Sequence, residues 1–318
     1  MTRTILGLAL RFVGTLVVAS VIIFALMRAV PGNPARVALG VNATEEAVAE
    51  LSTQLGLDRP LVTQYFEWVG GLLTGNLGMS LASQADITAT VLDRAQVSLI
   101  LVLSALLLAL AGAIPAGAWL ARRHGSAPAT IVSAGTQVGI AIPSFLVGIV
   151  LVAFFAVGLG WLPANGWVPP NADFGQFLRH LILPVISLAL VQGAMLTRYV
   201  RSSVLEILDT DFIRTSRALG QSERGALIRH GLRNAALPVI TVAGVQLTTL
   251  VVGAVVIEAV FVIPGMGSML LDAVSVRDLT TVQTLIMLLV AFTLAVNLLT
   301  DLAYRLVDPR LRAQGGRR

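Results

Sequence analysis

Six stretches of this chain are long, apolar and almost free of charge: about Phe12 to Val30, Ala95 to Ala121, Ile131 to Gly160, Leu181 to Val204, Pro238 to Ile263 and Leu279 to Ala303. A helix crossing the hydrocarbon of a bilayer needs roughly 20 apolar residues, so these stretches predict six transmembrane helices in an all-α integral membrane protein. The fourth is the least uniform, with Arg198 and Arg201 in its last two turns. An even number of crossings brings both termini to one side. Composition agrees, since 56 % of the 318 residues are apolar and only 12 % are charged, where a soluble domain carries about 25 % charged residues. An ordinary globular enzyme is excluded, and so is disorder, whose signature is the reverse. With no cysteine, disulfides and thiolate metal sites are excluded as well.

All 22 basic residues are arginine and none is lysine. A P-loop needs the lysine of its GxxxxGK signature to hold the terminal phosphates of a nucleotide, so the chain is not a self-contained P-loop ATPase. The arginines report orientation instead, because positive residues near span ends stay cytoplasmic. With six spans, one side collects Arg3, Arg11, Arg122, Arg123, the group from Arg198 to Arg233, and Arg305 to Arg318. The other side receives only Arg28, Arg36, Arg59, Arg94, Arg179 and Arg277. Both termini are therefore expected in the cytoplasm, and the net charge of +5 reads as topology rather than as a nucleic-acid surface.

The first span follows Arg3 and precedes Arg28 and a Pro31-Gly32 turn, with no small-x-small cleavage site beside it, and reads as an uncleaved anchor. The 31–94 segment after it is the largest expected outside the membrane. Within it Thr44 is placed to cap a short helix that carries Glu45 and Glu46 in its first turn and stops at Gly56. A second amphipathic stretch runs from Leu61 to Leu73, broken by Gly75, Gly78 and Ser80. No fixed-period repeat is present. Pro115 and Pro143 interrupt neighbouring spans rather than matching positions of two halves, which speaks against an inverted-repeat secondary transporter.

After the fourth span, Leu208, Phe212, Ser216 and Leu219 recur at helical spacing while Asp209, Arg214 and Arg217 point elsewhere. Gly220 can take the left-handed conformation that ends a helix. The expected product is a short, stiff amphipathic helix on the cytoplasmic side, in a loop with seven arginines between Arg198 and Arg233. Composition alone leaves two readings open. One is a solvated loop held to anionic lipid at about 1 kcal/mol per arginine, and the other is a protein-docking element.

The run Asp211-Phe212-Ile213-Arg214-Thr215-Ser216-Arg217-Ala218-Leu219-Gly220, with Arg229-His230-Gly231-Leu232-Arg233-Asn234-Ala235-Ala236-Leu237-Pro238 downstream, resembles the EAA coupling loop of binding-protein-dependent ABC importer permeases. More narrowly it resembles the B-type subunit of the dipeptide, oligopeptide and nickel branch. Arg28-Ala29-Val30-Pro31-Gly32-Asn33-Pro34-Ala35, Leu55-Gly56-Leu57-Asp58-Arg59-Pro60-Leu61, Gly75-Asn76-Leu77-Gly78, Ile142-Pro143-Ser144-Phe145, Glu258-Ala259-Val260-Phe261, Pro264-Gly265-Met266-Gly267 and Asp308-Pro309-Arg310 are similar to that branch in order and spacing. Arg214, Thr215 and Ser216 stand where the wider superfamily has Glu-Ala-Ala, and Leu237-Pro238 lies five residues further from the glycine. Both departures look like the peptide branch's own version.

The resemblance implies a type I ABC importer permease fold with six transmembrane helices. It also implies an anchor helix over 1–30, an extracytoplasmic segment over 31–94, a permease core over 95–305 with its coupling loop at 205–237, and a cytoplasmic tail over 306–318. The chain would be one of two related membrane subunits, with a second homologous permease subunit in a heterodimer. Two cytoplasmic ATPases would bind the ATP and Mg, this chain holding no cofactor, and an extracytoplasmic binding protein would deliver cargo. No nucleic-acid partner is implied, and the setting is the prokaryotic cytoplasmic membrane. Phe212 and Leu219 would enter a groove on an ATPase, Arg214 and Arg217 would pair with its carboxylates, and Asp211, Thr215, Ser216 and Ala218 would complete the helix ended by Gly220. Dipeptides, longer peptides, chelated metal, haem and glutathione are all compatible cargoes.

Glu258 is an acid inside an unambiguous span, and intramembrane charges face a cavity or a partner by default. It is a pathway or gate residue on one reading, and a packing or snorkelling pair on the other. Asp301 and Arg305 are spaced for a helix-surface ion pair, and Gly135 and Gly139 form a GxxxG face suited to close packing. His124, His180 and His230 are dispersed, so no metal site is expected. An ion-coupled secondary transporter or channel acting alone is the competing class, and a membrane scaffold a third.

Overall fold

The computed structural model describes residues 2–40, 43–222, 225 and 232–307. Twelve α-helices are formed among the described residues: α1 (Thr2–Ala29), α2 (Pro34–Leu39), α3 (Glu45–Gln54), α4 (Leu61–Thr74), α5 (Thr88–Arg122), α6 (Ala127–Ala141), α7 (Ser144–Leu151), α8 (Phe174–Leu208), α9 (Asp211–Ala218), α10 (Leu232–Val260), α11 (Met266–Ser275) and α12 (Leu279–Val307). Five of them hold segments long and apolar enough to cross a membrane, and the bent pair α6–α7 brings the number to six if it counts as one crossing. The all-helical class and the span positions agree with the hydropathy reading.

The third stretch departs from it. Rather than one continuous helix over Ile131 to Gly160, α6 and the helix from Ser144 to Gly158 meet at 100°. Pro143 is the cause. Its ring excludes the preceding residue from the helical region, and Ile142 is accordingly extended at φ −86° and ψ 125°. Beyond the break, α7 continues as a π-helical turn over Val152–Gly158. Pro115, by contrast, lies inside an unbroken α5.

Two compact units make up the chain, one of residues 99–263 with the chain from 296, the other of residues 2–98 with 264–295. In the first, Ala109, Ala113, Ala189 and Leu196 form a buried cluster of small and apolar side chains. Close approach of α5 and α8 requires glycine at 117, where a Cβ would lie 2.6 Å from the Val200 Cβ and 2.8 Å from the Thr197 carbonyl oxygen. Gly139 meets α8 similarly, its Cβ position 3.2 Å from that of Ala194, whereas Gly135 has nothing within 4 Å, so only one glycine of the GxxxG face packs closely.

In the second unit, Thr44 caps α3 by accepting from the Ala47 N–H at 3.2 Å, and Gly56 takes φ +64° beyond its end. Helix α4 then packs on α1 through Phe24, Tyr65 and Trp68, and the Tyr65 hydroxyl is 2.8 Å from the Ser20 hydroxyl. Leu77, Ile87, Val91, Met266 and Leu285 form the buried cluster that joins the loop after α4 to α11 and α12.

Candidate functional site

Helix α9 is built from the end of α8. The Thr210 hydroxyl donates back to the Ile207 carbonyl at 2.5 Å, which closes the last turn of α8. The Thr210 carbonyl in turn accepts from the N–H groups of Ile213 and Arg214 at 3.2 Å each, which opens α9. Asp211 supplies an acid to the first turn, where the helix dipole favours it. The helix is seated by Ile213, which is fully buried. It stops where Gly220 turns to φ +87°, a conformation that carries no steric cost only for glycine. The Ser216 hydroxyl and the Gln221 side-chain oxygen, 2.8 Å apart, hold that exit.

This seating leaves Phe212 40 % and Leu219 80 % exposed. Two large apolar side chains thus stand free beside Arg214, whose guanidinium is 3.6 Å from the Asp211 carboxylate in an exposed ion pair. Such a pair contributes at most about 1 kcal/mol and leaves Arg214 able to change partner. Thr215 is exposed and its hydroxyl donates to the Asp211 carbonyl at 2.9 Å, while Ala218 completes the helix. The Arg217 side chain lies outside the described residues, as do 223, 224, 226–231 and 308–318, which include Arg229-His230-Gly231, Asp308-Pro309-Arg310 and most of the tail. The sequence reading did not single out Ile213, the residue that seats the helix.

Glu258 is 1 % exposed in α10, among the fully buried Leu250, Ile257 and Phe261. The chain turns immediately after it, with the Ile263 N–H donating to the Glu258 carbonyl at 2.8 Å and Val262 at φ +53°. Asp301 is exposed, and the Arg305 side chain spaced to pair with it lies outside the described residues.

A polar ladder between α8 and α10 has no counterpart in the sequence reading. The Gln246 amide donates to the Gln192 carbonyl oxygen at 2.8 Å, and the Gln192 amide donates to the Thr249 hydroxyl at 3.2 Å. A search for charge-free windows passes over glutamine, and glutamine inside a span is the signal that would have found it. A cavity of about 710 Å³ lies among α5, α6 and α8, lined mainly by small and apolar residues that include Gly112, Gly135 and Ala194. Among the described residues no group of three metal-ligating side chains comes together.

Residues 113–313 match the family described as binding-protein-dependent transport system inner membrane component, and residues 1–102 match the N-terminal region of such membrane components. A putative peptide permease protein of Brucella ovis is 38 % identical over 315 residues, covering 98 % of this chain and 97 % of its own. The di/tripeptide transport system permease protein DppB of Pseudomonas aeruginosa is 38 % identical over 312 residues, covering 92 % and 93 %. Among solved structures, an inward-facing MetNI methionine ABC transporter matches with a TM-score of 0.58 at 20 % identity, over 70 % of this chain and 98 % of that one. This likeness supports the importer permease fold.

The chain belongs to the binding-protein-dependent transport system inner membrane component family. It is a multi-pass permease subunit of an ABC importer in the bacterial inner membrane, working with ATPases that hydrolyse ATP and with a binding protein. That membership decides against a transporter or channel acting alone.

Proposed function

We propose that this permease carries peptides and that α9 with Gly220 is the lever through which the ATPases move it. The cargo reading is supported by the peptide permeases of Brucella and Pseudomonas, which align with nearly the whole chain. The lever reading rests on one observation: α9 is fixed to the protein by a buried Ile213 and yet presents Phe212 and Leu219 to solvent. Exposed apolar side chains of this size, rimmed by Arg214 and Asp211, suit a groove on a partner protein. The charges would set register more than affinity.

On this reading both termini lie in the cytoplasm, the arginine bias being the support. A second homologous permease subunit completes the passage, as a heterodimer with this chain. The anchor over 1–30, the segment over 31–94, the core over 95–305 and the tail over 306–318 keep the roles expected of them. Motion of the ATPases shifts α9 as a rigid body and rocks the spans, a known form of switching. Gln192, Gln246 and Thr249 supply hydrogen-bonding groups to the passage, and Glu258, buried in this state, acts as a gate. The test is uptake of a labelled dipeptide by membrane vesicles carrying the complete importer. Loss of uptake with ATP hydrolysis retained in Gly220→Asp supports the lever. Undiminished uptake in that variant would remove it.

A further inference from the structure

A pocket of about 330 Å³ opens where α1 ends, between Met27, Arg28 and the 30–34 turn on one side and Asp58, Leu61 and Gln64 on the other. Two of its polar side chains have buried atoms without a hydrogen-bond partner, the Arg28 Nε and the Gln64 Oε1. Gln64 is 8 % exposed, and its amide already donates to the Leu57 and Arg59 carbonyls at 3.2 and 2.7 Å, so its oxygen is the atom left over. The Arg28 guanidinium lies over the Phe24 ring at 5.1 Å, and among the described residues no carboxylate comes within ion-pair distance of it. Leaving such groups unmatched in a buried place is costly, so the pocket is built for a ligand that accepts from arginine and donates to an amide oxygen.

The surroundings say which kind of ligand. Apart from Arg28, the exposed large side chains of α1 near this end, Val17, Val18, Val21, Ile22 and Leu26, are all apolar. Helix α4 continues that surface with Val62, Phe66 and Leu73 exposed on one face. Tyr65 of α4 meets Ser20, eight residues before Arg28 and therefore about 12 Å deeper along α1. Helix α4 has 14 residues, about 21 Å, which is too short to cross a ~30 Å hydrocarbon layer. Its contacts with Ser20 and Phe24 set it against the membrane-crossing α1, with the polar pocket at its start.

We propose that this pocket holds the head group of an amine-bearing phospholipid, phosphatidylethanolamine, in the leaflet at the C-terminal end of α1. Arg28 takes the phosphate, as arginine does wherever charge-assisted bonds to phosphate form. The Gln64 oxygen and the exposed Asp58 carboxylate take the ammonium, and the acyl chains lie along the apolar faces of α1 and α4.

The test uses the complete importer, purified in mild detergent from membranes holding both phosphatidylethanolamine and phosphatidylglycerol, with retained lipid measured by native mass spectrometry. The wild type is expected to retain phosphatidylethanolamine in excess, Arg28→Gln to lose retained phospholipid of both classes by about tenfold, and Asp58→Asn to lose only the preference for the amine. Asp58 is exposed, so this second variant is readable even where Arg28→Gln folds poorly. Equal retention of the two lipids by the wild type and Asp58→Asn would overturn the proposal, as would displacement of the lipid by a soluble dipeptide or by inorganic phosphate.

Discussion

In the unit that contains the N-terminal segment, one carboxylate ties together parts of the chain almost two hundred positions apart. Asp278 is 4 % exposed and accepts from the Ser80 hydroxyl at 2.5 Å, the Leu81 N–H at 3.1 Å, the Thr281 N–H at 3.2 Å and the Thr281 hydroxyl at 2.7 Å. Replacing it by alanine strands several buried donors at once, so Asp278→Ala is expected to destabilise this unit by at least about 3 kcal/mol. Faster proteolysis within 79–87, at unchanged membrane insertion, is the readout. Nearby, Asp86 accepts from the Thr88 N–H at 2.6 Å, and hydrogen bonds from the Thr88 hydroxyl and N–H hold its carboxyl below the usual range. A depressed folded value means that its contribution is complete above the unfolded value of about 3.9 and is lost as pH falls through the lower one. Cleavage within 79–87 should therefore not change between about pH 5 and 8 on account of Asp86. Gly117 tests packing rather than charge. A methyl group there would meet Val200 and Thr197, and Gly117→Ala is expected to cost about 1–3 kcal/mol, seen as a lower unfolding temperature in detergent.

At the scale of elements, local chemistry was legible where a single residue decides the outcome. Thr44 at the start of α3, Gly75 after α4 and Gly220 after α9 all act where the sequence places them. What escaped was set by pairs of elements. A hydropathy window registers that the segment around Pro143 is apolar but carries no angle, so the 100° break is not legible in it. The packing of α4 on α1 depends on Tyr65 and Trp68 finding Phe24, contacts that no spacing rule supplies. In α9 the periodicity gave a helix and its end, with Phe212 and Leu219 exposed, but not the buried Ile213 that seats it. Phe212→Asp is expected to release the ATPases from the purified complex while leaving the permease inserted, as measured by co-purification.

For the whole molecule, the absence of lysine argued from the start that this chain cannot hold nucleotide in a P-loop of its own, and membership of the permease family places ATP hydrolysis in partner subunits. The chain is the membrane-crossing permease subunit, and α9 is the handle proposed for it. The direct measurement is dipeptide accumulation in proteoliposomes containing either the complete importer with its binding protein or this chain alone. Accumulation should require the full assembly and ATP. Uphill accumulation by the chain alone on an ion gradient would contradict it.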